Sequence, residues 1–147
     1  MSAMKIAFGC DHAGFPLKAE VLDALARLGH ETFDLGAANA TESVDYPDFA
    51  HVVAARVAAG EVDLGVLVCG SGVGMSIAAN RHRGVRAVVC SESYSATMSR
   101  LHNDANVLCF GARVVGPGVA RQIVEAFVQT GFEGGRHGRR VAKIEPA

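Results

Sequence analysis

Cys69 runs into Gly70-Ser71-Gly72-Val73-Gly74, and this thiol beside alternating glycines is the strongest chemical signal in the chain. The apolar run Leu64 to Cys69 reads as a buried strand, and Val73 to Asn80 as a short helix. Glycines between them let the backbone bend sharply and turn several N–H groups toward one point. The first helical turn adds its unpaired donors and positive dipole end. Such a place holds an anion, either a phosphate or an oxyanion that forms during a reaction. Those dipoles favour the thiolate form of a cysteine at the edge. A tight strand-to-helix connection with no ligand is the plainer reading of the same residues. A dinucleotide fingerprint is not completed, because Met75 stands where its third glycine belongs, and no Gly-Lys-Ser/Thr follows to make a phosphate loop.

Other groups with chemical potential are spread along the chain. Asp11 and His12 directly follow an apolar strand. As a hydrogen-bonded pair they handle a sugar hydroxyl or position a phosphate; alternatively Asp11 caps a helix and His12 is an exposed loop residue. His102-Asn103-Asp104 closes a helix, where a histidine is either an acid or base near neutral pH or a surface residue matched to the helix dipole. Arg136 and Arg140 are four apart, so a helix there puts both guanidinium groups on one face. Such a pair suits a dianionic phosphate, and a solvated basic tail is the competing explanation. Cys10, Cys90 and Cys109 lie in or just after apolar strands and read as small buried hydrophobes. A metal site from Cys10, His12 and His102 has no familiar ligand spacing, so no metal is expected.

The elements that must carry these residues alternate between strand and helix. Strands are expected at Lys5–Cys10, Glu31–Leu35, Leu64–Cys69, Val85–Cys90 and Asn106–Phe110. Pro16 and Pro47 suit first helical turns, and Gly29 and Gly60 suit helix ends. Leu17, Val21, Leu25 and Leu28 recur at helical spacing, as do Val119, Ile123, Ala126 and Phe127. The pattern predicts a three-layer, Rossmann-like, doubly wound α/β sheet of about five parallel strands covered on both faces. Beyond Gly131 the chain turns basic and forms a C-terminal arm or helix. Right-handed crossovers place the loops after the strands along one rim, where such sheets bind ligands. Cys10-Asp11-His12, Cys69 to Gly74 and Cys90-Ser91-Glu92 all fall on that rim.

With 147 residues, half of them apolar, one domain over 1–147 is the expectation. A net charge of −1 gives no general attraction to nucleic acid or anionic membrane. The basic C-terminal stretch is short and lacks interleaved aromatics, so no nucleic-acid partner is expected. No apolar segment is long enough to span a bilayer, and the N-terminus lacks the apolar run of a secretory signal. Four dispersed cysteines then read as reduced thiols in a cytoplasmic protein.

Taken together in order, several blocks resemble the B-type ribose-5-phosphate isomerases and their allose-6-phosphate and galactose-6-phosphate relatives. They are Ile6 to Phe15, Asp45-Tyr46-Pro47, Cys69 to Gly74, Ser76 to Asn80, Arg86-Ala87, Arg100 to Asn106, Phe110 to Arg113, and Glu133 to His137. The resemblance implies an aldose–ketose isomerase that acts through an enediolate without a metal or organic cofactor. It makes Cys69 the base that moves the proton and His102 the residue assisting ring opening. Ser71 orients the reacting carbons or hydroxyls. Gly70, Ser71, Gly72, Val73 and Gly74 supply backbone donors to the enediolate, each typically worth about 2–4 kcal/mol of barrier. Asp11, His12, Asn103, Arg113, Arg136 and Arg140 bind substrate, the last two mainly at phosphate, and Tyr46 lines the sugar pocket. One branch of the family uses a glutamate just after the glycine loop; Met75 stands there, so the chain resembles the cysteine branch. The resemblance also implies a homo-oligomer, a dimer or dimer of dimers, whose site is shared between subunits.

Three other readings compete with ribose 5-phosphate isomerisation. A six-carbon sugar phosphate needs only a slightly roomier pocket, a difference of roughly 1–3 kcal/mol. A nicotinamide-dependent oxidoreductase uses the Gly70 turn for pyrophosphate and Glu92 for the ribose. A non-catalytic sugar-phosphate sensor keeps the pocket without turnover.

Overall fold

The computed structural model describes residues 2–147. Five strands, β1 (Lys5–Cys10), β2 (Glu31–Asp34), β3 (Leu64–Cys69), β4 (Ala87–Val89) and β5 (Val107–Gly111), form one sheet in the order β2-β1-β3-β5-β4. Every neighbouring pair is parallel. Among the described residues, six α-helices, α1 (Lys18–Arg27), α2 (Tyr46–Ala58), α3 (Val73–Ala79), α4 (Ser93–Asn103), α5 (Pro117–Gln129) and α6 (Arg136–Val141), and a 3-10 turn at Phe15–Leu17 accompany the sheet.

Strand alternation divides the core into two layers. Ile6, Phe8, Val66, Val68, Leu108 and Phe110 point to the side covered by α1, α4 and α5. Ala7, Leu67, Cys69, Val107 and Cys109 point to the side covered by α2 and α3. On α5, Ala120, Ile123, Val124, Phe127 and Val128 form a buried stripe of helical period. Each large side chain buried in this way contributes about 1.5–3 kcal/mol. The three-layer Rossmann-like sheet is therefore as expected, and the basic C-terminal segment is a short helix. Among the described residues, no helix is long and apolar enough to cross a membrane.

The fourth strand is shorter than its apolar run suggests. The Val85 amide bonds the His82 carbonyl at 3.1 Å, so Val85 belongs to the turn after α3. On the outer edge of β4, Asn80 takes the place of a further strand. Its side-chain amide donates to the Ala87 carbonyl at 2.9 Å and accepts from the Ala87 amide at 2.8 Å.

The turn between β3 and α3 depends on one backbone conformation. Gly72 has φ of +82°, and a Cβ built there falls 2.7 Å from the Phe110 carbonyl carbon. A side chain at position 72 is thus strained and also collides with β5. Gly118, near the start of α5, has nothing within 4 Å of an added Cβ. Gly72→Ala is expected to lose about 2 kcal/mol or more of unfolding free energy in urea titration, while Gly118→Ala stays within about 0.5 kcal/mol of wild type. Equal midpoints for the two variants contradict the role given to this turn.

Candidate active site

The carboxyl ends of β1, β3 and β5 open onto a cavity of about 680 Å³. Asp11, His12, Tyr46, Cys69, Gly70, Ser71, Val73, Gly74 and Arg113 all line it. Cys69 ends β3 with its side chain on the α2/α3 side, and the Gly72 amide donates to its sulfur at 3.1 Å. Ser71 Oγ accepts from the Val73 amide at 3.3 Å. The amides of Gly70, Ser71 and Gly74 lie along the same turn and have no backbone acceptor among the described residues. The turn is braced from β5, whose continuation donates from Ala112 to the Cys69 carbonyl (2.9 Å) and from Arg113 to the Gly70 carbonyl (3.1 Å). This bracing brings Arg113 to the cavity.

Asp11 and His12 serve both structure and site. Asp11 is buried, and its Oδ1 accepts from the Gly14 amide at 2.9 Å. The carboxylate so held lines the cavity wall. His12 Nδ1 accepts from the Val44 amide at 3.1 Å. A ring nitrogen that accepts carries no proton, so in the neutral ring the proton sits on Nε2 and makes that atom a donor. Tyr46 begins α2 with its ring against Gly74, closing one side of the cavity.

His102 and Asn103 lie elsewhere. Together with His137, Arg140, Val141 and Ile144 they line a second cavity of about 330 Å³. The end of α4 is fixed by Asp104, a non-glycine residue at φ of +47°. Its carboxylate pairs with Arg86 at 3.4 Å and Arg100 at 3.0 Å. Arg136 starts α6 one turn before Arg140, and both are exposed; Arg140 lines the second cavity. A site containing Cys69, His102, Asn103, Arg136 and Arg140 is thus not assembled within one chain: the residues form two separate groups.

Cys90-Ser91-Glu92 does not join either group. Because β5 lies between β3 and β4, the end of β4 is displaced from the Cys69 cavity. Glu92 caps α4 by accepting from the Ser95 amide at 2.9 Å, and those Ser95 contacts hold its carboxyl below the usual range. A ribose-binding acid is expected on the strand next to the glycine turn, so the oxidoreductase reading loses its second element. Cavity residues absent from the sequence expectation are Ala13, Ile77 and Val114. Ile77 was detectable in principle, since it lies four residues after Val73 on the exposed stripe of α3.

Among the described residues, His102, Glu133 and His137 form the one group whose donor atoms, all within 4.8 Å of one another, match a metal-ligand set. Their geometry argues for a different purpose. The two imidazoles stack with centroids 4.2 Å apart and planes 14° from parallel. Ring lone pairs lie in the ring planes, so near-parallel stacked rings do not converge on an ion about 2.0–2.1 Å from each.

An α/β sheet with a cavity at its carboxyl rim is the architecture of a small-molecule site. The ribose/galactose isomerase family model matches residues 6–144, and the chain belongs to that family. It is 57% identical over 140 residues to ribose-5-phosphate isomerase B of Escherichia coli, covering 95% of this chain and 93% of the relative. It also resembles the solved ribose-5-phosphate isomerase B of Clostridium thermocellum, at 52% identity and a TM-score of 0.93, covering 96% of this chain and 95% of the other. The Thermotoga maritima enzyme matches at 46% identity and a TM-score of 0.94, covering 99% of this chain and all of the other.

The cysteines differ in environment. Burial pushes the Cys10 and Cys90 thiols up to about 11, and it also raises Cys109 well above the ordinary thiol range. At pH 8 a thiol near 11 is ionised roughly once in a thousand molecules, and only the thiolate is alkylated efficiently. Cys69 alone of the four lines the large cavity. Iodoacetamide at pH 8 is therefore expected to label Cys69 first, as read by peptide mass spectrometry. Earlier labelling of Cys10 or Cys90 sinks the assignment of Cys69 as the accessible sulfur.

Proposed function

We propose that this protein interconverts ribose 5-phosphate and ribulose 5-phosphate, with Cys69 moving the proton between C2 and C1. The observation that carries the reading is the Cys69 sulfur held by the Gly72 amide at the mouth of a glycine turn. That turn leaves the Gly70, Ser71 and Gly74 amides free to donate, and the family and the close relatives supply the reaction class.

In this scheme the furanose first opens: the O1 hydroxyl gives up its proton and the ring oxygen gains one as the bond from C1 to the ring oxygen breaks, leaving an aldehyde at C1. The Cys69 thiolate then takes the C2 proton, and the electron pair forms a C1–C2 double bond with negative charge on O1. The loop amides and Ser71 Oγ surround that oxygen, where preorganised donors stabilise developing charge most effectively. The resulting thiol returns the proton to C1 while the O2 hydroxyl passes its proton to O1, leaving a ketone at C2, a hydroxyl at C1 and the thiolate restored. A general base of this kind accounts for roughly 10²–10⁴ in rate. His12 donates from Nε2, and Asp11 and Tyr46 line the sugar.

Completion of the site calls for a second copy of the chain. The partner subunit's His102 assists ring opening, its Asn103 holds a hydroxyl, and its Arg136 and Arg140 take the phosphate with this chain's Arg113. Exposed apolar side chains support the pairing: Val73, Ile77 and Val114 near the first cavity, and Ile144 at the second. A homodimer, alone or paired into a tetramer, follows from this reading, as does a cytoplasmic location. One domain spans the whole chain.

Cys69→Ala is expected to lower kcat by roughly 10²–10⁴-fold while substrate binding, followed by calorimetry, changes little. An unchanged rate removes Cys69 as base; an unmutated protein that binds the sugar phosphate but does not turn it over is a sensor. Side-by-side initial rates on ribose 5-phosphate and allose 6-phosphate are expected to favour the pentose. Co-expressing Cys69→Ala with His102→Ala chains is expected to recover about a quarter of wild-type activity. Half of randomly formed dimers are then hybrids, and each hybrid holds one intact site. No recovery above the single variants rules out the shared site.

A further inference from the structure

Beneath His102 lies an arrangement that the isomerase reading does not use. His137 on α6 is 6% exposed, and its imidazole stacks on that of His102. Its Nε2 is buried without a hydrogen-bond partner. Glu133 faces both rings, with one carboxylate oxygen 4.0 Å from His102 Nε2 and the other 3.8 Å from His137 Nε2. The loop carrying Glu133 is tied to α4 at two points. The Glu133 amide donates to the Leu101 carbonyl at 3.0 Å, and Arg100 Nε donates to the Thr130 carbonyl at 3.1 Å. Gly134 and Gly135, at φ of +75° and +59°, then turn the chain so that His137 comes back under the end of α4.

We infer that His137 is a positioning residue for ring opening: its buried ring, braced by the Glu133 loop, fixes the plane of the His102 imidazole at the end of α4. His102 is half-exposed at a helix terminus and, without a facing surface, is free to rotate about its side-chain bonds. A ring transferring a proton to a sugar oxygen must hold its direction, and misplacement by about 1 Å can cost on the order of a hundredfold in rate. Burial lowers the proton affinity of His137, and the neighbouring His102 and Arg136 add to the effect. The stack therefore pairs His102 with an uncharged partner at neutral pH. This inference rests on the proposed role of His102.

The test separates the two ideas by substrate form. Ribose 5-phosphate enters as a ring, whereas ribulose 5-phosphate, with O5 esterified, is open-chain. His137→Ala is expected to lower kcat from ribose 5-phosphate by roughly 10- to 100-fold, with KM little changed and the initial rate from ribulose 5-phosphate largely kept. The His102 Hε1 resonance is expected to move downfield in the same variant, because the facing ring current is gone. His137→Phe, which keeps a flat ring, is expected to restore both the rate and the resonance position. An unmoved His102 resonance, an equal loss from both substrates, or a Phe variant as impaired as Ala overturns the inference. His102→Ala run alongside distinguishes the failures: if it too slows both substrates equally, the ring-opening role itself is lost, and a displaced resonance in His137→Ala still upholds the positioning contact.

Discussion

At Gly72 the chain takes a left-handed conformation that leaves no room for a side chain, because the backbone of Phe110 occupies the space. That close approach joins the functional turn to the neighbouring strand. With Gly72 against β5, its amide reaches the Cys69 sulfur, and the Ala112 and Arg113 amides reach the Cys69 and Gly70 carbonyls. A thiol, a run of amides without backbone acceptors and an arginine are thus brought to one cavity by the turn and its hydrogen bonds. Loops position reactive groups accurately only when a rigid scaffold over-determines them, and here the scaffold is the centre of the sheet.

The remaining charged groups are anchored by different means. Asp104, strained into the left-handed region, is held by two arginines and ends α4 immediately after Asn103. A non-glycine residue at positive φ costs free energy that surrounding contacts must offset. In return the helix stops abruptly, and His102 and Asn103 project from its end. The pinned loop and α6 then bring His137 and Arg140 to the same side. Two preorganised half-sites on one chain, each open to solvent, fit a proposed assembly in which a second copy joins them and excludes water from the reacting sugar.

Much of this architecture is legible in the amino-acid sequence. Apolar runs with alternating side chains gave β1, β3 and β5 closely, and prolines and glycines marked the ends of α1 and α2. The glycine turn identified Cys69, and its neighbours Asp11 and His12 followed from the parallel-sheet rim. What local pattern does not encode is strand order. Val85 looks like strand because it is apolar, yet its amide is spent on a turn, and Glu92 looks like a ligand until β5 is known to separate it from Cys69. The His102–Glu133–His137 group was equally hidden. His102 lies 31 residues before Glu133 and 35 before His137, and the loop amide of Glu133 that bonds the Leu101 carbonyl brings them together. The division of the site into two groups likewise depends on tertiary distance, which spacing along the chain does not report.

Position 75 shows why a thiol suits this particular turn. Met75 is fully buried and packs in the same apolar cluster as Cys69, on the α2/α3 side of the sheet. A carboxylate directed into that cluster would lose its hydration without gaining a partner, and burial of an unpaired charge is strongly unfavourable. A sulfur tolerates the setting better, because cysteine is both a small hydrophobe and an ionisable group. Its apolar neighbours satisfy the neutral thiol, and the Gly72 amide offers a hydrogen bond that strengthens when the sulfur carries charge. A sulfur in this setting suits the proposed role, in which one group takes a proton from one carbon and returns it to the next.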